Sequence, residues 1–172
     1  LAGEVEPRKA LRPFLGTVMD MVYANRAFLL LEKDGELAIH FAGDAGQGVR
    51  ELTEPLLLEE TDQLSRSTVR LVFRTLRPVI VDGDHLGGFA KDKYMRKAKP
   101  KSVAGIPLMS QGVPVGVLYL ENTLISGIFT TDRLELVGLL ANRLVYARAF
   151  EEFLKHDGND ESLGESLTDR EL

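Results

Sequence analysis

The stretch from Ser102 to Asn122, SVAGIPLMSQGVPVGVLYLEN, constrains the fold of this chain more than any other. Two apolar runs, Val103 to Met109 and Val113 to Leu120, flank a polar break at Ser110-Gln111-Gly112. Both runs are rich in β-branched and large apolar residues, and a short gap containing glycine joins such strands as a hairpin. Along the second run Val115, Val117, Tyr119 and Glu121 share one face, while Leu118 and Leu120 share the other. A strand apolar on both faces is covered on both sides, so the hairpin belongs in the middle of a sheet. Pro107 has no N–H to give a central ladder, which predicts a bulge or a partly unpaired edge at that point.

The rest of the chain supplies the layers such a sheet needs. Pro7 to Tyr23 reads as a helix, with Leu11, Phe14, Leu15, Val18, Met19 and Val22 at three- and four-residue spacing. Pro13 predicts a start near Leu11 or a kink. Ala27 to Glu32 reads as a strand, Asp34-Gly35 as a turn, and Leu37 to Ala42 as an alternating second strand. His40 in that strand is a satisfied, half-buried histidine rather than a ligand. Gly43 to Thr61 reads as a loop. A helix follows, capped by Ser65 or Ser67, with Val69, Val72, Phe73 and Leu76 on one stripe and Pro78 as its stop. Arg66, Arg70 and Arg74 form a row on another face, either an anion or partner site or a solvated surface. Val79 to Asp82 is a short strand. Gly83 to Lys101 reads as an irregular loop, with six basic residues against the single acid Asp92 between Phe89 and Lys101. Thr130 or Thr131 caps a last helix running to Leu154, with Asp132 and Glu135 near its positive end.

A chain of 172 residues suits one domain, or one domain plus a tail. Hydrophobic residues make up 44%, enough for a core, and no run approaches the roughly 18 apolar residues of a membrane span. Opening on Leu1, without a signal peptide, the sequence reads as a fragment of a longer, cytoplasmic protein. With no cysteine, disulfides, thiolate metal sites and cysteine nucleophiles are excluded. A net charge of −5 argues against nucleic acid bound across the surface of this domain. Three distant histidines make no metal site. There is no G-x-S-x-G, P-loop, H-E-x-x-H or GxGxxG, so the expectation is a non-enzymatic domain of residues 1–156. Residues 157–172 follow as an acidic linker, apolar-free up to Ser166 but for Leu163, and a possible start of an output domain.

Ser102, Pro107-Leu108, Gly116-Val117-Leu118-Tyr119-Leu120-Glu121-Asn122 and Gly127-Ile128-Phe129-Thr130-Thr131-Asp132 together resemble the second half of a GAF domain. The first helix and hairpin resemble its opening. The Ser65-Arg66-Ser67 helix followed by Arg77-Pro78-Val79-Ile80-Val81-Asp82 resembles GAF domains of bacterial sensory regulators and sensor kinases. The resemblance runs from Leu11 to Leu154 and implies an α/β (α+β) fold, a central antiparallel sheet with helices on both faces. It implies a small-molecule pocket under the Gly83–Lys101 segment, lined by Asp82, Phe89, Tyr94, Met95, Ile106, Leu108, Tyr119 and Glu121. Lys91, Lys93 and Arg96 would be the cations for an anionic ligand. No cofactor is specified. Attachment of a bilin through the domain's own cysteine, and thiol-dependent methionine sulfoxide reduction, are excluded by composition. The cyclic-nucleotide signature of the family is only echoed, since Thr123 follows Asn122 and Arg133 follows Asp132.

The function implied is a sensory domain that relays a bound signal through its terminal helices to an output domain. The alternative is a structural dimerisation module with a degenerate pocket. Leu167-Thr168-Asp169-Arg170-Glu171-Leu172 resembles the opening of a LuxR-type DNA-binding domain. A sensor histidine kinase or an ATP-dependent transcription activator are the other outputs. A homodimer joined through the Leu11–Tyr23 and Thr131–Leu154 helices is expected, with Leu134, Leu144, Val145 and Phe150 as the apolar surplus.

Overall fold

The structure, a computed structural model, describes residues 7–144. Six antiparallel strands form one sheet in the order β3-β2-β1-β6-β5-β4. They are β1 (Arg26–Lys33), β2 (Glu36–Asp44), β3 (Gly48–Leu57), β4 (Val79–Asp82), β5 (Ser102–Ser110) and β6 (Val113–Asn122). The apolar strands β1 and β6 pair at the centre, from Arg26↔Glu121 to Leu31↔Gly116. The β1–β2 and β5–β6 hairpins turn on two residues at positive φ, Asp34-Gly35 and Gln111-Gly112, as a type I′ turn requires.

Helix α1 (Pro7–Val22) covers one face of the sheet together with α4, residues 131–144. Leu11, Leu15, Val18 and Val22 of α1, and Leu134, Val137 and Ala141 of α4, pack there against Leu29, Ile106, Leu108, Leu118 and Leu120. Helices α2 (Arg66–Thr75) and α3 (Lys93–Ala98) cover the other face, over Phe28, Leu30, Val103, Val117 and Tyr119. Ser65 caps α2 by accepting from the Thr68 N–H at 3.3 Å. Helix α1 runs through Pro13, and Tyr23 takes a left-handed conformation just past its end.

Three readings of the sequence need correction. The segment read as a loop after Gly43 contains β3, a ten-residue edge strand. Its exposed charges and Pro55 hide the alternation, and they suit an edge that must not pair further. The irregular segment 83–101 contains α3, whose six residues are too few to show a period. Asp92 caps it, accepting from the Met95 N–H at 2.9 Å. The bulge or partly unpaired edge expected at Pro107 is met by the end of β4 pairing at Gly105 and by a register shift between Leu108 and Met109, but the shared face expected for Val115 is not. Val115 is the extra residue on β6, so it packs on the α1/α4 face and not with Val117. Pro107 itself lies past Gly105, the last residue of β5 paired to β4, where no neighbouring strand needs its N–H. The bulge frees the Met109 N–H to donate to Asn142 of α4 at 2.9 Å.

Of the expected apolar surplus, Leu134 is core and Leu144 packs half-buried against the same core, while Val145 and Phe150 lie outside the described residues, as do the expected continuation of the helix past 144 and the segment 157–172. The exposed leucines of α4 are instead Leu136, Leu139 and Leu140. Among the described residues no helix is long and apolar enough to cross a membrane.

Candidate functional site

Strand alternation places Glu121 on the α2/α3 face beside Tyr119, where it is fully buried at 0% exposure. A carboxylate so placed needs compensation. Arg26, its direct partner across the β1–β6 ladder, supplies it: Nη1 lies 3.1 and 3.2 Å from the two carboxylate oxygens. The Tyr94 hydroxyl from α3 donates to the same carboxylate at 2.6 Å, and the Tyr119 hydroxyl at 3.1 Å. Tyr119 in turn accepts from the Ser65 N–H at 3.2 Å. Arg26 also donates to the Tyr94 hydroxyl and, through Nη2, to the Gln63 carbonyl at 3.0 Å. Its guanidinium lies over the Phe28 ring at 5.2 Å.

The electrostatics follow from that geometry. Burial opposes the charge on Arg26, but Glu121 and then Tyr94 outweigh it and hold the guanidinium above its ordinary pKa. Burial first, and the Glu121 charge second, push the Tyr94 hydroxyl up, and the fully buried Tyr119 hydroxyl well up. Both tyrosines therefore stay protonated as donors.

Asp92 stitches the two helices together above this cluster. Besides capping α3, it accepts from Ser65 Oγ at 2.7 Å and from Ser67 Oγ. Burial acts to raise its pKa, yet the bonds from Ser67, the Met95 N–H and Ser65 prevail and hold it below the ordinary value.

Between these helices opens a cleft of about 810 Å³. Asp62, Leu64, Arg66, Ser67 and Arg70 line one side, and Asp92, Lys93, Tyr94, Lys97 and Ala98 the other. Spacing of four residues puts Arg66 and Arg70 on one face of α2, and Lys93 and Lys97 on one face of α3. Arg70 is engaged by Glu59 through contacts of 2.5 Å, which hold the Glu59 carboxyl below its usual range. Arg66 donates from Nε to the Thr61 carbonyl at 2.6 Å.

The pocket expected directly over the sheet is filled by the protein's own side chains. Met95 (1% exposed), Tyr119 and Phe28 are buried there, with open space in the cleft at the rim and in a hollow beside Met95. Of the residues expected to line it, Tyr94 and the cation Lys93 reach the cleft, and Tyr119 and Glu121 lie beneath. Phe89 packs against the α2/α3 core, and Asp82 sits at the end of β4, 3.4 Å from His85 Nδ1. Ile106 and Leu108 belong to the opposite face: β5 alternates, and Gly105 is the residue turned toward Val72 of α2. Met95 and Arg96, both expected at the site, line a separate hollow of about 510 Å³ with Asp84, Leu86, Lys99 and Lys101, and Lys91 is exposed outside the hollows described. His40 is half-buried and not without a partner.

Sequence reasoning passed over Arg26, Ser65 as a ligand of Asp92, and Asp92 itself. Arg26 carried a signal, since it is the lone charge opening an apolar strand, as Glu121 is the lone charge closing another. Arg66 and Arg70, read as an anion site or a solvated row, do face the cleft, whereas Arg74 lines a smaller hollow with Phe73 and Leu57.

On the other side of β6, Asn122 holds the opposite layer. Its Nδ2 donates to the Tyr23 carbonyl at 2.6 Å, and its Oδ1 accepts from the Leu124 and Ile125 N–H groups at 2.9 and 2.8 Å. Arg133 of α4 lies over the Tyr23 ring at 4.9 Å. Ser102 completes the junction by donating to the Ile125 carbonyl at 2.7 Å.

The GAF domain family model matches residues 6–147, and the chain belongs to this family. A hybrid signal transduction histidine kinase, G, of Dictyostelium discoideum is 35% identical over 79 residues. That match covers 45% of this chain, which spans 2% of the kinase's length. The fold is shared with a red/green cyanobacteriochrome in its red light-absorbing state, at TM-score 0.66 and 12% identity, covering 87% of this chain and 98% of that one. It is also shared with the GAF domain of an Acinetobacter phosphoenolpyruvate-protein phosphotransferase, at TM-score 0.62 and 15% identity, covering 90% and 89%.

Proposed function

We propose that this GAF domain is a non-enzymatic sensory module of a cytoplasmic signalling protein, binding a small molecule in the cleft between α2 and α3. Binding there is relayed to α1 and α4, and through them to an output domain in transcription control or two-component signalling. The observation that carries the reading is the junction at Glu121 and Asn122. Both cleft walls are strapped to Glu121, the α3 wall through Tyr94 and the 61–65 wall through Arg26 and Tyr119. The next residue straps the end of α1 and the segment leading to α4. A ligand that draws Tyr94 or Gln63 toward itself alters the seating of Glu121, and the backbone passes that change to Asn122. The shift needs differential affinity of the ligand for the two arrangements.

A partner copy joined through the Leu11–Tyr23 helix and the Thr131–Leu154 helix gives this relay a second element to move against. The exposed row Leu136, Leu139 and Leu140 supports that pairing. The filled space over the sheet favours a second reading, in which the domain only brings two output domains together. Native mass spectrometry of the purified domain separates the two. A small molecule retained on the 19.0 kDa chain supports sensing, and a chain with no added mass supports the dimerisation module.

A further inference from the structure

We infer that the cleft between α2 and α3 takes a small organic dianion, a phosphate monoester on an apolar body. This deepens the sensory reading and rests on it. Charge is the first argument. Four basic and two acidic side chains line the cleft, but they are not equally free. Arg70 is satisfied by Glu59, and Asp92 by two serine hydroxyls and the Met95 N–H. Arg66, Lys93 and Lys97 have no carboxylate within ion-pair distance among the described residues, and Asp62 is the one lining acid outside the hydrogen-bonded set. Set against the carboxylates of Asp62 and Asp92, these three cations leave one positive charge in excess, which favours an anion such as a phosphate monoester, charged about −1.5 to −2 near neutral pH.

The arrangement of those cations is the second argument. Lys93 and Lys97 stand one turn apart on α3, and Arg66 faces them from α2, so the head group is met from both walls. The Nε of Arg66 is fixed on Thr61, which leaves its two terminal nitrogens to donate to phosphate oxygens. The third argument is the floor. Leu64 (1% exposed), Ala98 and the ring of Tyr94, whose hydroxyl points down to Glu121, give an apolar bed for the ligand's body. A volume of about 810 Å³ suits a molecule of that size rather than a bare ion.

The test is NMR titration of the 15N-labelled domain with phenyl phosphate, inorganic phosphate and phenol. Phenyl phosphate is expected to shift the amides of Arg66, Lys93 and Lys97 saturably, and to bind more tightly than either of the others. The variant Lys93→Gln with Lys97→Gln, both exposed, is expected to weaken that binding about tenfold or more, since hydrogen bonds to charged groups are lost. Equal binding of phenol, or unchanged binding in the double variant, overturns the dianion while leaving a small-molecule cleft. If none of the three probes binds but a molecule co-purifies with the domain, the proposed class alone falls. If none binds and nothing co-purifies, the class and the sensory reading fall together.

Discussion

Glu121 and Asn122 are consecutive on β6, and their side chains hold opposite layers of the domain. Glu121 gathers Arg26, Tyr94 and Tyr119 beneath the cleft, and Asn122 gathers Tyr23, Leu124 and Ile125 beside the terminal helices. Alternation along a strand makes this unavoidable, and the sheet centre makes it stiff. A change on one face thus has the shortest covalent route to the other.

Glu121→Gln keeps the shape of the side chain and removes its charge. Arg26, whose side chain is 25% exposed, then loses its ion pair inside the protein. The expected cost is about 3 kcal/mol, near the lower end for breaking a buried pair because Arg26 retains some water. Urea denaturation measures it. A cost indistinguishable from zero would mean the pair contributes nothing beyond its desolvation.

Asn122→Ala leaves the Leu124 and Ile125 N–H groups and the Tyr23 carbonyl without their side-chain partner. A loss of about 2 kcal/mol is expected for polar groups stranded in a half-buried junction. The same variant should speed amide exchange at residues 124 and 125 while leaving β3 unchanged.

Asp92 makes the α2–α3 stitch pH-dependent. Its pKa is lower folded than unfolded, so its contribution is fully present above the ordinary aspartate value of about 3.9. It is lost as the pH falls through the lower folded-state value. Thermal melts on acidification should therefore show a drop that Asp92→Asn largely removes. A variant that keeps the full acid dependence would assign that dependence elsewhere.

Gly116→Ala should be poorly tolerated, because a Cβ there would stand 2.1 Å from the Leu30 backbone oxygen of β1. Neither central strand can withdraw, and an overpacking cost of about 3 kcal/mol is expected in chemical denaturation.

Helices α1 and α2 and the β1–β2 and β5–β6 hairpins were legible in the sequence because each follows a simple period. Leu11 to Val22 repeats at helical spacing, Val117 to Leu120 shows two apolar faces, and Asp34-Gly35 marks its own turn. Strand β3 was not legible because an edge strand faces water and carries charges such as Arg50 and Glu51 at positions where a central strand shows leucine. Helix α3 was not, because one and a half turns give no period. Placing the 83–101 segment over β6 brought Tyr94, Tyr119 and Glu121 into one expected cluster, and their side chains do meet. Ile106 and Leu108 were misplaced because parity along β5 depends on which residue faces α2, and Gly105, with no side chain, gives no sign of it. Arg26 and Asp92 act through partners from distant segments, and only the folded chain brings these together.

The proposed pairing of terminal helices gives a mass prediction. The wild-type domain should sediment as a dimer at micromolar concentration, and Leu136→Glu with Leu139→Lys should reduce it to a 19.0 kDa species. A monomer before any substitution would remove α4 as an interface.

Hydrogen exchange of Tyr94→Phe tests the relay most directly. The variant deletes one hydroxyl on the cleft wall and touches nothing on the far face. Faster exchange is predicted both in α3 and at the amides of Leu124 and Ile125, with β2 and β3 unchanged. Faster exchange confined to α3 would contradict the account, because the far side of β6 would not feel the cleft.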